Sequence, residues 1–318
     1  MRVAHRVRLY IVAAFTRTCP APYIRSLSDG ERAFEPRGFP RPAQAWYLPP
    51  GKTNVEINDG MLVSCRPAEP VASRIEVMWR YDGQTTGAHR EIVVPNGRLQ
   101  VMINLASGQG GVCGFQSHHT VVDTASIPPV VGIVFRPGGA RGLFGLGVDD
   151  FQNKTVFLED VWGVRARELQ NRVLEARDSE TQFRILESGI RAAMAQVGDR
   201  RLELHPAVAH ALEELRRRAH IQSVIELARD SGLSRRRFSQ LFAEQVGTTP
   251  KLFCRLQRFL QIVKLTKQGG ETDWADVALA GGYFDQAHMA HEFQEFSGLS
   301  PSRFAAAAHP HRYHVRTS

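Results

Sequence analysis

The sequence predicts an α+β protein of two domains, a strand-rich N-terminal domain and an all-α C-terminal domain. The chain has 318 residues, more than one small domain usually holds. Short runs of β-branched and aromatic residues dominate its first half, whereas its last third has helical periodicity and contains one pattern twice. We predict a disordered basic extension at 1–60, a strand-rich domain at 61–199, a helical domain at 205–308 and a tail at 309–318.

The strand-rich region consists of short apolar runs separated by Gly, Pro, Asn or Asp, and such a series is typical of a barrel or a sandwich. The predicted strands are 74–79, 91–94, 99–104, 119–123 and 130–135. Two stretches with helical period follow, at 166–177 and 181–195, and they predict a pair of helices. The charged segment 196–203, which contains Gly198, predicts a linker to the helical domain.

Composition restricts the classes of protein. The net charge is +8, which suits a polyanionic partner without establishing one. The cysteines Cys19, Cys65, Cys113 and Cys254 form no CxxC pair, which argues against a zinc cluster or a disulfide framework and favours a reducing cytoplasm. No apolar run reaches the ~18 residues that a membrane span needs, so we expect no membrane partner.

The N-terminal sequence has one feature of a secretory signal. Arg2, Arg6 and Arg8 precede a short apolar stretch at 9–15, in the order that a signal peptide shows. However, Arg17 follows at once and there is no clean cleavage site of small residues. We therefore interpret the first 60 residues as disordered.

The C-terminal region contains an internal duplication. The stretches 224–253 and 274–304 match at an offset of 50 before a turn and 51 after it, so the second copy has one extra turn residue. The matched pairs are Leu227/Val277, Ala228/Ala278, Gly232/Gly282, Phe238/Met289, Phe242/Phe293, Gly247/Gly298, Pro250/Pro301 and Phe253/Phe304.

Each copy has the local signals of a helix-turn-helix. Ser223 and Asp273 can cap a short helix, which ends at a glycine able to adopt positive φ. Ser234 and Asp285 can then cap a second helix. A short helix, a glycine turn and a capped second helix predict a helix-turn-helix whose second helix enters the DNA major groove.

The faces of the two second helices predict DNA-contacting residues. In each helix an apolar stripe opposes a polar stripe, and Arg and Gln can form paired hydrogen bonds with guanine and adenine edges. The predicted contacts are Arg235, Arg236, Arg237, Ser239 and Gln240 in the first copy, and Gln286, His288 and His291 in the second. A long helical pattern at 250–267 would join the copies, with Lys251, Arg255 and Arg258 as phosphate contacts or as plain solvated charges.

The two copies resemble a known family. The segments LARDSGLSRRRFSQLFAEQVGTTPKLFCRLQRF and WADVALAGGYFDQAHMAHEFQEFSGLSPSRF are similar to the DNA-binding domain of AraC/XylS-family bacterial transcription regulators. The resemblance implies a cytoplasmic, non-enzymatic regulator without a cofactor, which binds a bipartite promoter site on double-stranded DNA. RNA polymerase and a second copy of the chain are further implied partners. A common form of this family has arginine where this chain has His291, which weakens base reading there.

The strand-rich region also resembles the sensor domains that precede such DNA-binding domains. The phrases VPNGRLQVMINL, GIVFRPGGARGLFG and LEDVWG carry this likeness. It implies a cupin-like β-barrel with a helical pair, which binds a small-molecule effector or dimerises.

Other interpretations of the sequence concern enzymes and non-specific binders. The alternatives are a metal-dependent cupin enzyme or DNA-repair enzyme fused to a DNA-binding module, and an architectural DNA binder. His118 and His119 hint at a metal site, but adjacent strand residues point to opposite faces and no further ligands are evident. The glycines at 138–147 lack the spacing of a dinucleotide loop and predict tight turns.

Overall fold

The computed structural model describes residues 55–56, 62–82, 90–123, 127–217, 224–266, 273–307 and 314–317. The predicted extension 1–60 lies outside the described residues except for 55–56, which form a short strand. Ser223, His309 and His311 also lie outside them, so the predicted cap of the first short helix has no structural account.

Antiparallel strands form two sheets within the described residues, and neither sheet closes on itself. The strands are β1 (Val55–Glu56), β2 (Leu62–Cys65), β3 (Ile75–Tyr81), β4 (Arg90–Val93), β5 (Gln100–Asn104), β6 (Gly110–Cys113), β7 (Thr120–Asp123), β8 (Val130–Phe135), β9 (Thr155–Phe157) and β10 (His314–Thr317). The large sheet has the order β1-β2-β3-β8-β5-β6-β9, and the small one β10-β4-β7. The described strands therefore form an open pair of sheets rather than a barrel closed by hydrogen bonds, and the predicted α+β class with a strand-rich N-terminal domain is confirmed.

Strand β10 corrects the prediction for the C-terminal tail. The sequence predicts only a tail at 309–318, but His314 begins a strand that pairs antiparallel with β4. Val315, opposite Ile92, is only 1% exposed. Local propensity could not reveal this pairing, because the partner strand lies more than 200 residues earlier in the chain.

The predicted helical pair and linker follow the strands. The helices here are α1 (Leu158–Trp162), α2 (Val164–Glu175), α3 (Ser179–Val197) and α4 (Asp199–Leu202). Buried residues of α2 and α3, such as Val173 and Leu186, pack with Met78 and Ile133 from one face of the large sheet. The segment predicted as a linker at 196–203 instead holds the end of α3 and all of α4, because Leu202 is buried in this core.

The C-terminal domain is helical, as predicted. Its helices are α5 (Pro206–Arg217), α6 (Val224–Asp230), α7 (Arg235–Val246), α8 (Pro250–Leu265), α9 (Trp274–Ala280), α10 (Gln286–Ser297) and α11 (Pro301–Ala306). The second face of the large sheet, with Trp79 and Val134, belongs to one apolar cluster with the core of this helical domain. The two domains therefore pack against each other through buried apolar side chains.

Candidate nucleic-acid interface

The first helix-turn-helix unit consists of α6, a glycine turn and α7. Gly232 has a φ of +69°, a conformation that glycine adopts at little cost. Ser234 then caps α7, because its side chain accepts a hydrogen bond from the Arg237 N–H at 3.3 Å. The predicted turn and cap are therefore confirmed.

The second unit repeats this arrangement with α9 and α10. Helices α9 and α10 have 7 and 12 residues, the same lengths as α6 and α7. Gly282 has a φ of +75°, and the Asp285 carboxylate accepts the His288 N–H at 2.7 Å. The extra turn residue places Phe284 in solvent with 89% of its surface exposed. Asp273 caps α9 as predicted.

The inner stripes of both second helices are buried, which confirms the predicted faces. Phe238 and Phe242 are fully buried in the first unit, as are Met289 and Phe293 in the second. The Phe242 ring meets the Phe253 ring edge-on at 5.6 Å, and the Phe293 ring meets the Phe304 ring at 5.1 Å. The helix that follows each unit, α8 or α11, therefore packs on the core of that unit in the same way.

The outer face of α7 carries the basic residues that the sequence singled out. Arg235, Arg236, Arg237 and Gln240 are exposed, and Ser239 is half-buried. In the described part of the chain, the three arginines have no ion-pair partner. Their guanidinium groups therefore point into solvent beside a polar helix face, where DNA could bind.

The outer face of α10 has no such charge. Gln286, Ala287, His288 and His291 are exposed at its surface. The His288 ring packs edge-on against the Tyr283 ring at 5.4 Å. The whole sequence stretch 268–302 contains six Asp and Glu and no Lys or Arg, so this unit offers DNA phosphates little attraction.

The joining helix α8 begins with an exposed charge and continues with paired ones. Lys251 is exposed in the first turn. Arg255, predicted to contact phosphate, instead donates to Glu292 at 2.8 Å and also bonds Glu295. Arg258 lies 3.3 Å from the same Glu292 carboxylate. Both arginines are therefore neutralised within the protein.

Glu292 is the centre of a buried polar cluster that sequence reasoning missed. It is only 3% exposed, and the Tyr283 hydroxyl donates to its carboxylate at 2.9 Å. Burial raises the pKa of Tyr283, and the Glu292 charge raises it further. The sequence carries one sign of this cluster, because the duplication aligns the charged Glu292 with the buried Leu241 of the first unit. The cluster fixes α10 to α8.

The other predicted sites have structural explanations. Gly138, Gly142 and Gly145 all have positive φ, so the glycine-rich segment forms turns as predicted. Burial raises the pKa of the Cys113 thiol, which keeps it protonated. His118 is exposed, whereas the buried Nδ1 of His119 has no hydrogen-bond partner among the described residues. The described residues contain no group of three or more potential metal ligands.

Two family models match separate parts of the chain. Residues 227–307 match a family described as a helix-turn-helix domain, and residues 63–157 match a domain of unknown function. Residues 227–307 of the C-terminal domain are therefore similar to a helix-turn-helix domain. In the residues described, no helix has the length and apolar character that crossing a membrane requires.

One curated relative and several solved structures are similar to parts of the chain. An uncharacterized HTH-type transcriptional regulator from Haemophilus influenzae is 31% identical over 123 residues, which cover 39% of this chain and 38% of that protein. The DNA-binding domain of AdpA, solved with a target DNA, is 25% identical with a TM-score of 0.30, covering 32% of this chain and 92% of that one. ToxT from Vibrio cholerae is 10% identical with a TM-score of 0.37, covering 72% and 96%.

Proposed function

We propose that this protein is a sequence-specific transcription regulator that binds double-stranded DNA. One observation carries the proposal: a helix-turn-helix unit presents Gln240 and three arginines, which have no ion-pair partner among the described residues, on the solvent face of its second helix. Arg236 and Gln240 would read base edges from the major groove. Arg235, Arg237 and Lys251 would bind phosphates, which positions the protein without reading sequence.

The second unit would bind a neighbouring half of a bipartite site. If α8 holds the two second helices in successive major grooves on one face of DNA, the half-sites lie about 34 Å apart. Gln286, His288 and His291 are then the contacts that α10 offers. Its lack of Lys and Arg predicts a minor share of the binding free energy, so we expect the first half-site to dominate.

Selection of binding sites from a random DNA pool tests this function. We expect an enriched motif with one strong and one weak half-site. We also expect the enriched site to bind at least about 1,000-fold more tightly than random DNA at one fixed salt concentration. A ratio near one would contradict sequence reading and favour an architectural DNA binder.

The N-terminal domain is the proposed module for a small-molecule effector. Ser64 Oγ and Gln100 Oε1 are buried and have no hydrogen-bond partner among the described residues. Ser64 lies opposite Trp79 and Gln100 opposite Val134, so both belong to the apolar face between the sheets. Such polar atoms in an apolar interior suit a ligand with a hydrogen-bonding group.

A thermal-shift screen of small molecules tests this second part. A ligand of this interior should raise the Tm of the wild-type protein. It should not raise the Tm of Gln100→Leu, which lacks the buried amide. A ligand that stabilises both proteins equally binds elsewhere. RNA polymerase and a second copy of the chain stay predicted partners. Sedimentation of the purified protein, alone and mixed with RNA polymerase, tests both.

A further inference from the structure

The N-terminal domain holds the C-terminal end of recognition helix α7. The helix ends at Val246 and is followed by the C-cap residue Gly247, whose φ is +101°. A Cβ atom added there would lie 3.0 Å from Val148 Cγ1 and 3.4 Å from the Val148 carbonyl oxygen. Val148 begins a short 3-10 helix (Val148–Phe151) and is 3% exposed. The backbone of α7 therefore rests directly on the N-terminal domain.

The glycine-rich segment 138–147 leads into that contact and also cradles the chain between the domains. A Cβ at Gly138 would lie 2.8 Å from Leu204 Cδ2, and one at Gly142 would lie 2.8 Å from the Arg201 carbonyl oxygen. Side chains larger than hydrogen would separate these segments. The glycines that predicted tight turns thus also allow a close approach of the linker 199–205.

Two arginines bond the linker backbone to the N-terminal domain. The Arg74 guanidinium donates to the Leu202 carbonyl at 2.8 Å and to the Gly139 carbonyl at 3.3 Å. Arg141, within the glycine-rich segment, donates to the Glu203 carbonyl. Burial lowers the pKa of Arg74, and the neighbouring Arg141 lowers it further. Both guanidinium groups therefore bind the linker through its backbone carbonyls.

The linker in turn bonds α7. The His205 N–H donates to Gln245 Oε1 at 2.9 Å, and Gln245 is 1% exposed. Gln245 stands in the apolar stripe of α7, at the position where α10 has Phe296. Its amide oxygen therefore serves this connection, and the sequence pattern alone does not explain a glutamine there.

We propose that the segment 138–148 and the linker 199–205 form a rigid support that fixes the orientation of α7. Val148 and Gln245 are then positioning residues for the recognition of DNA sequence by α7. The proposal rests on the proposed function, because it concerns how α7 meets DNA. A helix of this length extends about 18 Å. A tilt of about 5° at its C-terminal end moves the Arg236 end by about 1.5 Å, enough to break a hydrogen bond of ordinary length.

The test compares full-length variants for affinity and for specificity. Val148→Ala removes the contact with Gly247, and Gln245→Met removes the acceptor at similar side-chain volume. Val173→Ala is the matched control, since Val173 is fully buried in the same apolar core but lies on α2. The measurement is the ratio of affinities for a selected DNA site and for random DNA at one salt concentration.

We expect both test variants to lower this ratio by about fivefold or more, while the control changes it by less than about twofold. A ratio that falls no further than in the control overturns the proposal.

Hydrogen exchange separates this proposal from the proposed function. If the wild-type protein itself fails to discriminate DNA sequences, the proposed function is wrong. Amide exchange alone then tests the proposed support of α7. Val148→Ala should then speed exchange in the last turn of α7 more than Val173→Ala does at matched global stability. Equal protection of that turn in the two variants contradicts the proposal that Val148 supports α7.

Discussion

The two helix-turn-helix units have the same backbone plan and opposite surface charge. Their helices match in length, and both units turn at a glycine of positive φ and cap the second helix with an oxygen side chain. The stretch 224–251 contains five Lys and Arg, whereas the equivalent stretch 274–302 contains none. A few glycine, cap and core positions therefore specify the motif, and the surface is free to diverge.

The difference continues inside the units. Where α7 has the buried Leu241, α10 has Glu292, which binds Arg255 and Arg258 of the joining helix. Basic residues that a DNA-binding protein could present to phosphate are thus used to attach the second unit. We infer that the first unit reads DNA and that the second is held rigidly beside it.

Breaking the buried cluster should destabilise the protein most. Glu292→Gln leaves the two arginines without their shared charge, and we expect the free energy of unfolding to fall by about 3 kcal/mol. Urea denaturation measures this loss. Glu295→Gln is the control, because this more exposed carboxylate should contribute less than about 1 kcal/mol. Similar small losses in both variants would show that the cluster does not hold the second unit.

Truncating the predicted reader in the first unit should weaken specific DNA binding. Arg236→Ala removes a paired hydrogen bond to a base, so we expect a loss of about 1–3 kcal/mol on the selected site. Fluorescence anisotropy at fixed salt measures it, with random DNA as reference. Arg229→Ala, a charge removed from α6, should affect both DNAs alike. Equal losses for Arg236→Ala on both DNAs would exclude base reading by this residue.

Adding charge to the second unit should make it resemble the first. The duplication aligns Gln286 with Arg235, a proposed phosphate contact, and Gln286 is exposed. We expect Gln286→Arg to bind DNA more tightly and to steepen the slope of log affinity against log salt by about 0.9 for one new phosphate contact. Gln286→Met provides a neutral control. An unchanged slope would mean that this face of α10 does not meet the DNA backbone.

The contact of the second unit with the N-terminal domain predicts a small pH effect. The His119 ring lies against Gly298, the left-handed cap of α10. Burial lowers the pKa of His119, with His118 adding to the effect, so the unfolded chain binds the proton more readily. Stability should therefore fall as the pH drops below about 6.5. Unfolding measured from pH 7.5 to 5 checks this.

Two variants isolate the origin of that pH dependence. His119→Gln should be less sensitive to pH than the wild-type protein over this range. His210→Gln, which removes an exposed histidine of α5, should behave like the wild type. The same slope in all three proteins would assign the effect to other groups.

Local signals predicted most of the helical C-terminal domain and less of the N-terminal domain. Ser234, Asp285 and the turn glycines act on neighbouring backbone groups, so their effects follow from sequence spacing. Sequence spacing did not predict the open pair of sheets. Strand propensity does not determine which strands pair or whether the outer strands join to close a barrel. Strand β10 was missed for the same reason.

The sequence by itself determined the two helix-turn-helix units, their duplication and the contrast in charge between their surfaces. These features depend on the periodicity of side chains, on the turn glycines and on capping side chains, all of which act within a few residues of one another. Only the tertiary structure decided that Arg255 pairs with Glu292 and that Val148 supports Gly247. These contacts join residues 37 and 99 positions apart. They exist because folded helices and loops pack, and no local pattern encodes such a partner.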